Sequence, residues 1–336
     1  MTVIYALLIF CFLIFVHELG HFLVAKACGV KVNEFAIGMG PAILKKTKGE
    51  TKYSVRLLPI GGFCAMEGED EDSQDPRAFN NKPAWQRALV IAAGPIMNLI
   101  TCVILMIIIA FWAGTATTTI DAVSQGSAAD KAGILPGDKI VQVDGNNIGE
   151  WNDIIQSIGY SKNDAAEVTV SREGQELTLT TELQYDKDAG RNMIGISPER
   201  EHHLGSALSG GIKNTWAMTE MMYKALKQLI TGDISMKELS GPVGIVYATS
   251  EAAKSGLMYV IYLAALLSLN LAIMNLLPFP ALDGGRLLFL VIRMFTGKRV
   301  SDETEGKIHF VGICLLFGLM IYVTFNDVLK FIIPMF

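Results

Sequence analysis

Two histidines four residues apart with a glutamate between them, His17-Glu18-Leu19-Gly20-His21, lie inside an apolar run that begins at Val3 and continues to Ala27. Residues four apart share a helix face, so both imidazoles can hold one metal ion while Glu18, turned about 100° away, addresses a bound water. The run is long enough to cross a bilayer core, which takes roughly 20 residues. An ionisable group at that depth costs roughly 3 kcal/mol or more unless it pairs, binds metal or lines a wet cavity. The pattern alone is loose, and in a soluble helix a solvated polar face would account for it. Inside an apolar helix a functional polar site is the better reading.

The 336 residues are 51% hydrophobic, with the apolar residues dense at both ends and diluted between about 115 and 205. That pattern implies two membrane halves around one soluble insert. The net charge of -5 gives no basic field for nucleic acid. All five cysteines (Cys11, Cys28, Cys64, Cys102, Cys314) lie in or next to the membrane halves, so no disulfide framework holds the insert. Met1 to Val16 lacks a basic region and a small-residue cleavage site, and the first helix is expected to be retained.

Four spans follow from length, at about 2–27, 88–113, 257–277 and 308–332. Lys26, Lys31, Lys45, Lys46, Lys48, Lys52, Arg56, Arg77, Lys82 and Arg87 fall between the first two; Arg286, Arg293, Lys298, Arg299 and Lys307 fall between the last two. The positive-inside rule makes both loops cytoplasmic and puts the termini and the 115–256 segment outside. The acidic residues Glu67, Glu69, Asp70, Glu71 and Asp72 in the first loop count little in that rule; they read as a solvated loop.

At 1.5 Å per residue His17 lies about 22 Å along a helix entering from outside, in the cytoplasmic half of a core of roughly 30 Å. Span three runs inward and breaks at the same face, at Asn275-Leu276-Leu277-Pro278-Phe279-Pro280-Ala281-Leu282-Asp283-Gly284-Gly285. Alone, Leu-Asp-Gly is a turn. At the depth of a histidine pair, Asp283 supplies a hard anionic oxygen suited to a third zinc ligand.

These two motifs, with Gly94-Pro95-Ile96-Met97-Asn98 in span two and Ser240-Gly241-Pro242-Val243-Gly244-Ile245 before span three, resemble the site-2 protease family of intramembrane zinc metalloproteases over nearly the whole chain. The extracytoplasmic insert narrows the resemblance to the bacterial regulator of sigma-E protease branch with one PDZ domain. The resemblance implies zinc held by His17, His21 and Asp283, one ion per chain, with Glu18 as general base. It also implies a bacterial inner-membrane enzyme with its active site toward the cytoplasm. Its substrates would be single-span membrane proteins, cut in or near the bilayer after another protease has removed their outer domains: anti-sigma factors, remnant signal peptides or pheromone precursors.

The residues are consistent with that chemistry. Three protein ligands leave zinc a position for water, and broken backbone around Asn275 and Pro278 is tolerable at depth where it lines a hydrated cavity. A helical substrate must unwind to expose its carbonyls. The resemblance gives Asn270 and Asn275 the role of binding that freed backbone, with helix-to-helix bonding as the alternative; Asn98 is evenly placed between site and packing roles. Thr51 to Leu58, including Tyr53, Val55 and Leu57, reads as a strand after the Lys48-Gly49-Glu50 turn, in a membrane-side hairpin over about 32–66. As an edge it could pair with an extended substrate; a hairpin that only covers the cavity is the alternative.

The expected fold is a polytopic α-helical membrane protein with four transmembrane helices, a cytoplasmic-side β-hairpin or sheet and an inserted PDZ domain. The halves are residues 1–114 and 257–336, the PDZ domain 115–200 and the linker 201–256. Gly126-Ser127-Ala128-Ala129, Ala132 to Ile140 and Val141 to Gly145 resemble a PDZ core, with a helix over Trp151–Ile158 and strands over Glu167–Ser171 and Leu177–Leu183. It either captures peptide termini or acts as a size filter. His202 and His203 read as solvated and His309 as interfacial. Trp216, Met221, Met222, Ala225, Leu226, Leu229 and Ile230 recur near helical spacing, as in a helix lying on the outer leaflet or packed on the PDZ domain. The rival functions are a catalytically inactive PDZ-containing membrane adaptor, which has no need of Glu18, and a metal-dependent transporter, which predicts repeated halves that this sequence lacks.

Overall fold

The computed structural model describes residues 2–69, 71–187, 189–235, 238–296 and 302–333; Asp70 of the acidic run and Lys298 and Arg299 of the second basic loop lie outside the described residues. Helix α1 (Thr2–Ala27) leads into two long strands, β1 (Val32–Lys48) and β2 (Thr51–Met66), and then α2 (Ala84–Ala113). The insert follows: β3 (Thr115–Val123), α3 (Ala128–Ala132), β4 (Lys139–Val143), β5 (Asn146–Asn147), α4 (Trp151–Gly159), β6 (Ala165–Arg172), β7 (Gln175–Glu182), β8 (Gln184–Asp186), β9 (Arg191–Met193) and β10 (Ile196–Glu201). The chain returns through α5 (Leu204–Thr231), α6 (Pro242–Ser255), α7 (Leu257–Leu276), α8 (Asp283–Thr296) and α9 (Asp302–Asp327).

Helices over Ile4–Ala27, Ala84–Ala113, Leu257–Leu276 and Thr304–Phe331 are long and apolar enough to cross a membrane, and they overlap the four expected spans. Two of them begin about a turn before the sequence limits of 88 and 308. The chain forms two compact units, Met1–Met106 with Ile212–Phe336, and Ile107–Gly211.

In the first unit α1 and α2 meet at Gly20, where a Cβ would collide with the Ala93 carbonyl and lie 2.9 Å from the Met97 Cβ. Small residues permit this close approach where helices gain nothing from excluding water. Beyond the helix ends, Val30, Val32, Phe35, Cys64 and Phe79 form a core with Ala25, Val90, Ile91 and Leu290.

The two strands fold back on themselves. The Glu34–Ile37 stretch of β1 pairs on one side with Lys52–Val55 and on the other with Gly62–Ala65, while Ala42–Lys48 covers the far side of Thr51–Arg56. One hairpin therefore makes a four-stranded sheet, with bends at Gly38 (φ +87°) and Gly61 (φ +86°). At Gly38 a Cβ would press to 2.6 Å from the Leu58 carbonyl oxygen, so the bend requires glycine. This pairing corrects the expectation of an edge at Thr51–Leu58. Tyr53 is flanked by Phe35 and Lys46, and Val55 by Ile37 and Leu44, so their backbone groups are used within the sheet. Leu57 is exposed beyond this doubly paired stretch. Glu34 ties the sheet together by accepting from Lys52, Ser54 and Arg56. Burial would raise its carboxyl, but these donors hold it down to about 2.

At the far end of the unit, Asp327 is buried and accepts from the backbone N–H groups of Gly241 and Gly244 at the start of α6. These helix-start donors have no partner within the helix.

The second unit is a sheet in the order β10-β3-β4-β6-β7 with β5 on β4, closed by α3 and α4 over a core of Ile120, Ile134, Ile140, Val143, Ile154, Ile158, Val168, Val170 and Ile194. The helix and two strands expected here correspond to α4, β6 and β7. Asp138 is 1% exposed and takes a bidentate pair from Arg172 at 2.7 and 2.8 Å, which lowers its carboxyl against the effect of burial. In α5, Trp216, Met221 and Ile230 are exposed while Met218 is buried, so the helix leaves several large apolar side chains uncovered.

Candidate metal centre

His17 and His21 share a face of α1, and the turn after α7 delivers Asp283 to the same point. The two Nε2 atoms are 3.2 Å apart, and Asp283 Oδ2 lies 3.2 Å from that of His17 and 3.6 Å from that of His21. A tetrahedral ion with ligands at about 2.0–2.1 Å separates them by about 3.3 Å, so these three spacings fit zinc. Asp283 Oδ2 is buried and has no hydrogen-bond donor among the described residues. Without a cation, this carboxylate oxygen would face two imidazole edges with no donor assigned to it.

The imidazoles are set by their other nitrogens. His21 Nδ1–H donates to the Val90 carbonyl at 2.8 Å, which leaves the Nε2 lone pair facing Asp283. His17 Nδ1 lies 3.2 Å from the amide of Asn98, which is fully buried and whose Oδ1 has no partner as placed. Amide oxygen and nitrogen are exchangeable by a half-turn. Turned so that Oδ1 accepts from Nδ1–H, Asn98 holds His17 in the tautomer that frees Nε2 for a metal. The Asn98 carbonyl also accepts from Ser268 at 2.7 Å, joining α2 to α7. Gly94 makes room for the pair: a Cβ there would collide with His21 Nε2 and lie 2.8 Å from His17 Cε1.

The Asp283 turn is held from several sides. Gly284 and Gly285 pack against the backbone of Leu276–Leu277 and of Phe279–Pro280, with no room for a Cβ. Ala281 has φ +78°, a left-handed conformation that costs a non-glycine residue roughly 1–2 kcal/mol. Its N–H donates to His309 Nδ1 of α9 at 2.8 Å. Arg286, one turn after Asp283, pairs with Glu69 of the loop after β2. Glu69, Asn80, Arg87, Arg286, Arg293 and His309 line a polar cavity of about 600 Å³ on this side.

Glu18 lies against the last stretch of β2. Its Cγ would be 3.3 Å from a Cβ on Gly62, and the Cys64 backbone hydrogen-bonds its carboxylate. Gly62–Ala65 has one strand neighbour, Glu34–Ile37. The sheet edge beside Glu18 is therefore here and not at Thr51–Leu58. Asn275 is half-buried in the last turn of α7, Asn270 is exposed, and neither has a hydrogen-bond partner among the described residues; Pro278 is exposed just beyond. His202 and His203 are exposed, with His202 Nδ1 3.0 Å from the Phe111 carbonyl. His309, read from sequence as interfacial, touches the Asp283 turn. Sequence spacing offered no sign of this contact, because it joins segments 28 residues apart.

The model of peptidase family M50 matches residues 5–319 of this chain. The chain belongs to peptidase family M50. A protein of Clostridium acetobutylicum provisionally named a zinc metalloprotease is 41% identical over 329 residues, covering 97% of each chain. The regulator of sigma-W protease RasP of Bacillus subtilis is 32% identical over 414 residues, covering 97% of this chain and 98% of that one. A solved PDZ domain of an SdrC-like protein from Listeria innocua aligns with 26% identity over 27% of this chain and 99% of that one, with a TM-score of 0.22. As an M50 peptidase this chain is a zinc metalloprotease, with four helices among the described residues long and apolar enough to cross a membrane.

Proposed function

We propose that this chain cuts single-span membrane proteins within or near the bilayer, with one zinc held by His17, His21 and Asp283 and with Glu18 as general base. The observation that carries the reading is the convergence of two Nε2 atoms and one carboxylate oxygen at 3.2–3.6 Å in and beside a membrane-length apolar helix. Zinc, when bound, acidifies water and polarises a peptide carbonyl. Glu18, next in sequence to His17, takes the proton from that water and returns it to the leaving amine. His21 and His17 keep their Nε2 lone pairs inward because Val90 and Asn98 engage the opposite ring nitrogens. Retention of Glu18 beside a full ligand set favours the enzyme over the inactive adaptor.

The single-neighbour edge at Gly62–Ala65, next to Glu18, is the better candidate for pairing with an unwound substrate, in place of Tyr53, Val55 and Leu57. Asn275 and Pro278 sit where α7 ends, with Asn270 more than a turn earlier in the helix, and could bind the freed backbone. The insert, read as one PDZ domain outside the cytoplasm, would exclude substrates that keep a large outer domain, so trimming by another protease would come first. The basic loops support a cytoplasmic-facing site in a bacterial inner membrane. The Bacillus subtilis relative is named for regulation of sigma-W, which favours a membrane-bound anti-sigma factor as substrate; remnant signal peptides are the second class.

Metal analysis of purified chain should find about one zinc per protein, lost when His17, His21 and Asp283 are replaced. Glu18→Gln should retain the metal and lose cleavage of a single-span reporter by at least about a hundredfold. Active wild-type protein without zinc, or near wild-type turnover by Glu18→Gln, would overturn the assignment.

A further inference from the structure

We infer that His309 of α9 is a positioning residue for Asp283, acting through the left-handed turn at Ala281. The inference rests on the reading that Asp283 holds zinc, and it assigns a role to a residue outside the motifs. Asp283 stands at the first position of α8, and two residues earlier the backbone takes φ +78° at an alanine. Left-handed backbone at a non-glycine residue persists where its surroundings hold it. Two contacts from α9 supply that restraint. The Ala281 N–H donates to His309 Nδ1 at 2.8 Å, and Gly312, one turn further along the helix, lies so close to Pro280 that a Cβ would stand 2.5 Å from its carbonyl oxygen.

The His309 ring is itself constrained. It packs on Phe289 of α8, with centroids 5.8 Å apart and planes inclined by 52°. Accepting at Nδ1 puts the ring proton on Nε2, which faces Glu305 Oε1 at 3.9 Å. Span four thus carries the ring, Phe289 of α8 packs on it, the ring holds the Ala281 N–H, and the turn holds the carboxylate. Among the described residues no hydrogen bond, ion pair or ring contact joins these groups to the two imidazoles, so the effect would reach zinc through Asp283.

The chain in lipid nanodiscs provides the test, with zinc affinity read by competition against a chelator and cleavage of a single-span reporter resolved into kcat and KM. His309→Leu should weaken zinc roughly 10- to 100-fold, as loss of a supporting hydrogen bond does elsewhere, and lower kcat with KM unchanged. His309→Asn, whose Oδ1 can take the Nδ1 place, should stay close to wild type. Glycine adopts φ +78° without strain. The double variant His309→Leu with Ala281→Gly should therefore recover most of the lost affinity, an effect that loss of packing alone would not produce. If His309→Leu does not fold, His309→Phe keeps the ring against Phe289 and removes only the acceptor. Wild-type zinc affinity in the leucine or phenylalanine variant, or no recovery in the double variant, would overturn the inference. Absence of zinc from the wild type would instead strike the proposed function on which it rests.

Discussion

The carboxylate of Asp327, at the end of α9, accepts a 2.7 Å hydrogen bond from the backbone N–H of Gly244 in the first turn of α6, 83 residues earlier. It also accepts from Gly241 at 2.9 Å. Asp327 therefore caps a helix to which it does not belong, and its charge lies at the positive end of that helix. The same contact explains two glycines of the Ser240–Ile245 run: a Cβ on Gly241 or Gly244 would stand 3.0 or 3.2 Å from the Asp327 carboxylate. Asp327→Ala should cost roughly 1–3 kcal/mol. A thermal melt in detergent should show a midpoint several degrees lower, and Asp327→Asn a smaller drop. An unchanged midpoint in the alanine variant would show that water replaces the cap without loss.

Gly94→Ala tests the space beneath the imidazoles. The added methyl would meet both rings, and overpacking of this kind costs roughly 1–3 kcal/mol. Zinc retention and cleavage should fall together by at least about tenfold, while helix content measured by circular dichroism stays the same. A Gly94→Ala protein with normal zinc and turnover would mean that the rings can move aside freely.

The Asp138–Arg172 pair gives the insert a pH dependence of known sign. Arg172 lowers the folded-state carboxyl below the ordinary value of about 3.9. The stabilisation is therefore complete above about pH 4 and is lost as pH falls through the depressed folded value. Amide exchange of β3, β4 and β6 in the full chain should accelerate below about pH 4 beyond the chemical rate. Asp138→Asn should exchange faster at neutral pH and lack that additional acid step. Identical profiles for the two proteins would remove the pair from the insert's stability.

Deleting residues 118–200, with a flexible linker in their place, should permit cutting of single-span substrates that keep a bulky outer domain, while the full chain cuts only trimmed ones. A gel-based cleavage assay on matched long and short substrates decides this. Equal discrimination by both proteins would move recognition from the insert to the membrane site.

The three residues of the candidate metal site could be picked out in sequence because each carries a local signature. Two histidines at helical spacing define a face, and prolines and glycines end an apolar helix just before Asp283. The sheet was legible only as a hairpin. Which stretch of β2 forms the edge depends on bends at Gly38 and Gly61, and local alternation around Tyr53 and Val55 cannot show how many neighbours a strand will have. The contact of His309 was not legible for a related reason: its partner is a backbone N–H exposed by a turn conformation that alanine rarely adopts. Asn98 and Gly94 stood in a recognised run, but their distinct tasks, orienting one imidazole and leaving room for two, emerge only when α2 lies against α1.

Because the ribbon between α1 and α2 doubles back at Gly38 and Gly61, every strand pairing in that sheet falls between Val32 and Met66. The sheet needs no partner from later in the chain, and contacts this local form early. During synthesis the surface against Glu18 can be complete before α2 emerges, whereas Asp283 must wait for the rest of the protein. On the proposed assignment, the edge beside Glu18 is in place long before Asp283 can join the histidines, and an incomplete chain would lack one of the three groups needed to cut its neighbours.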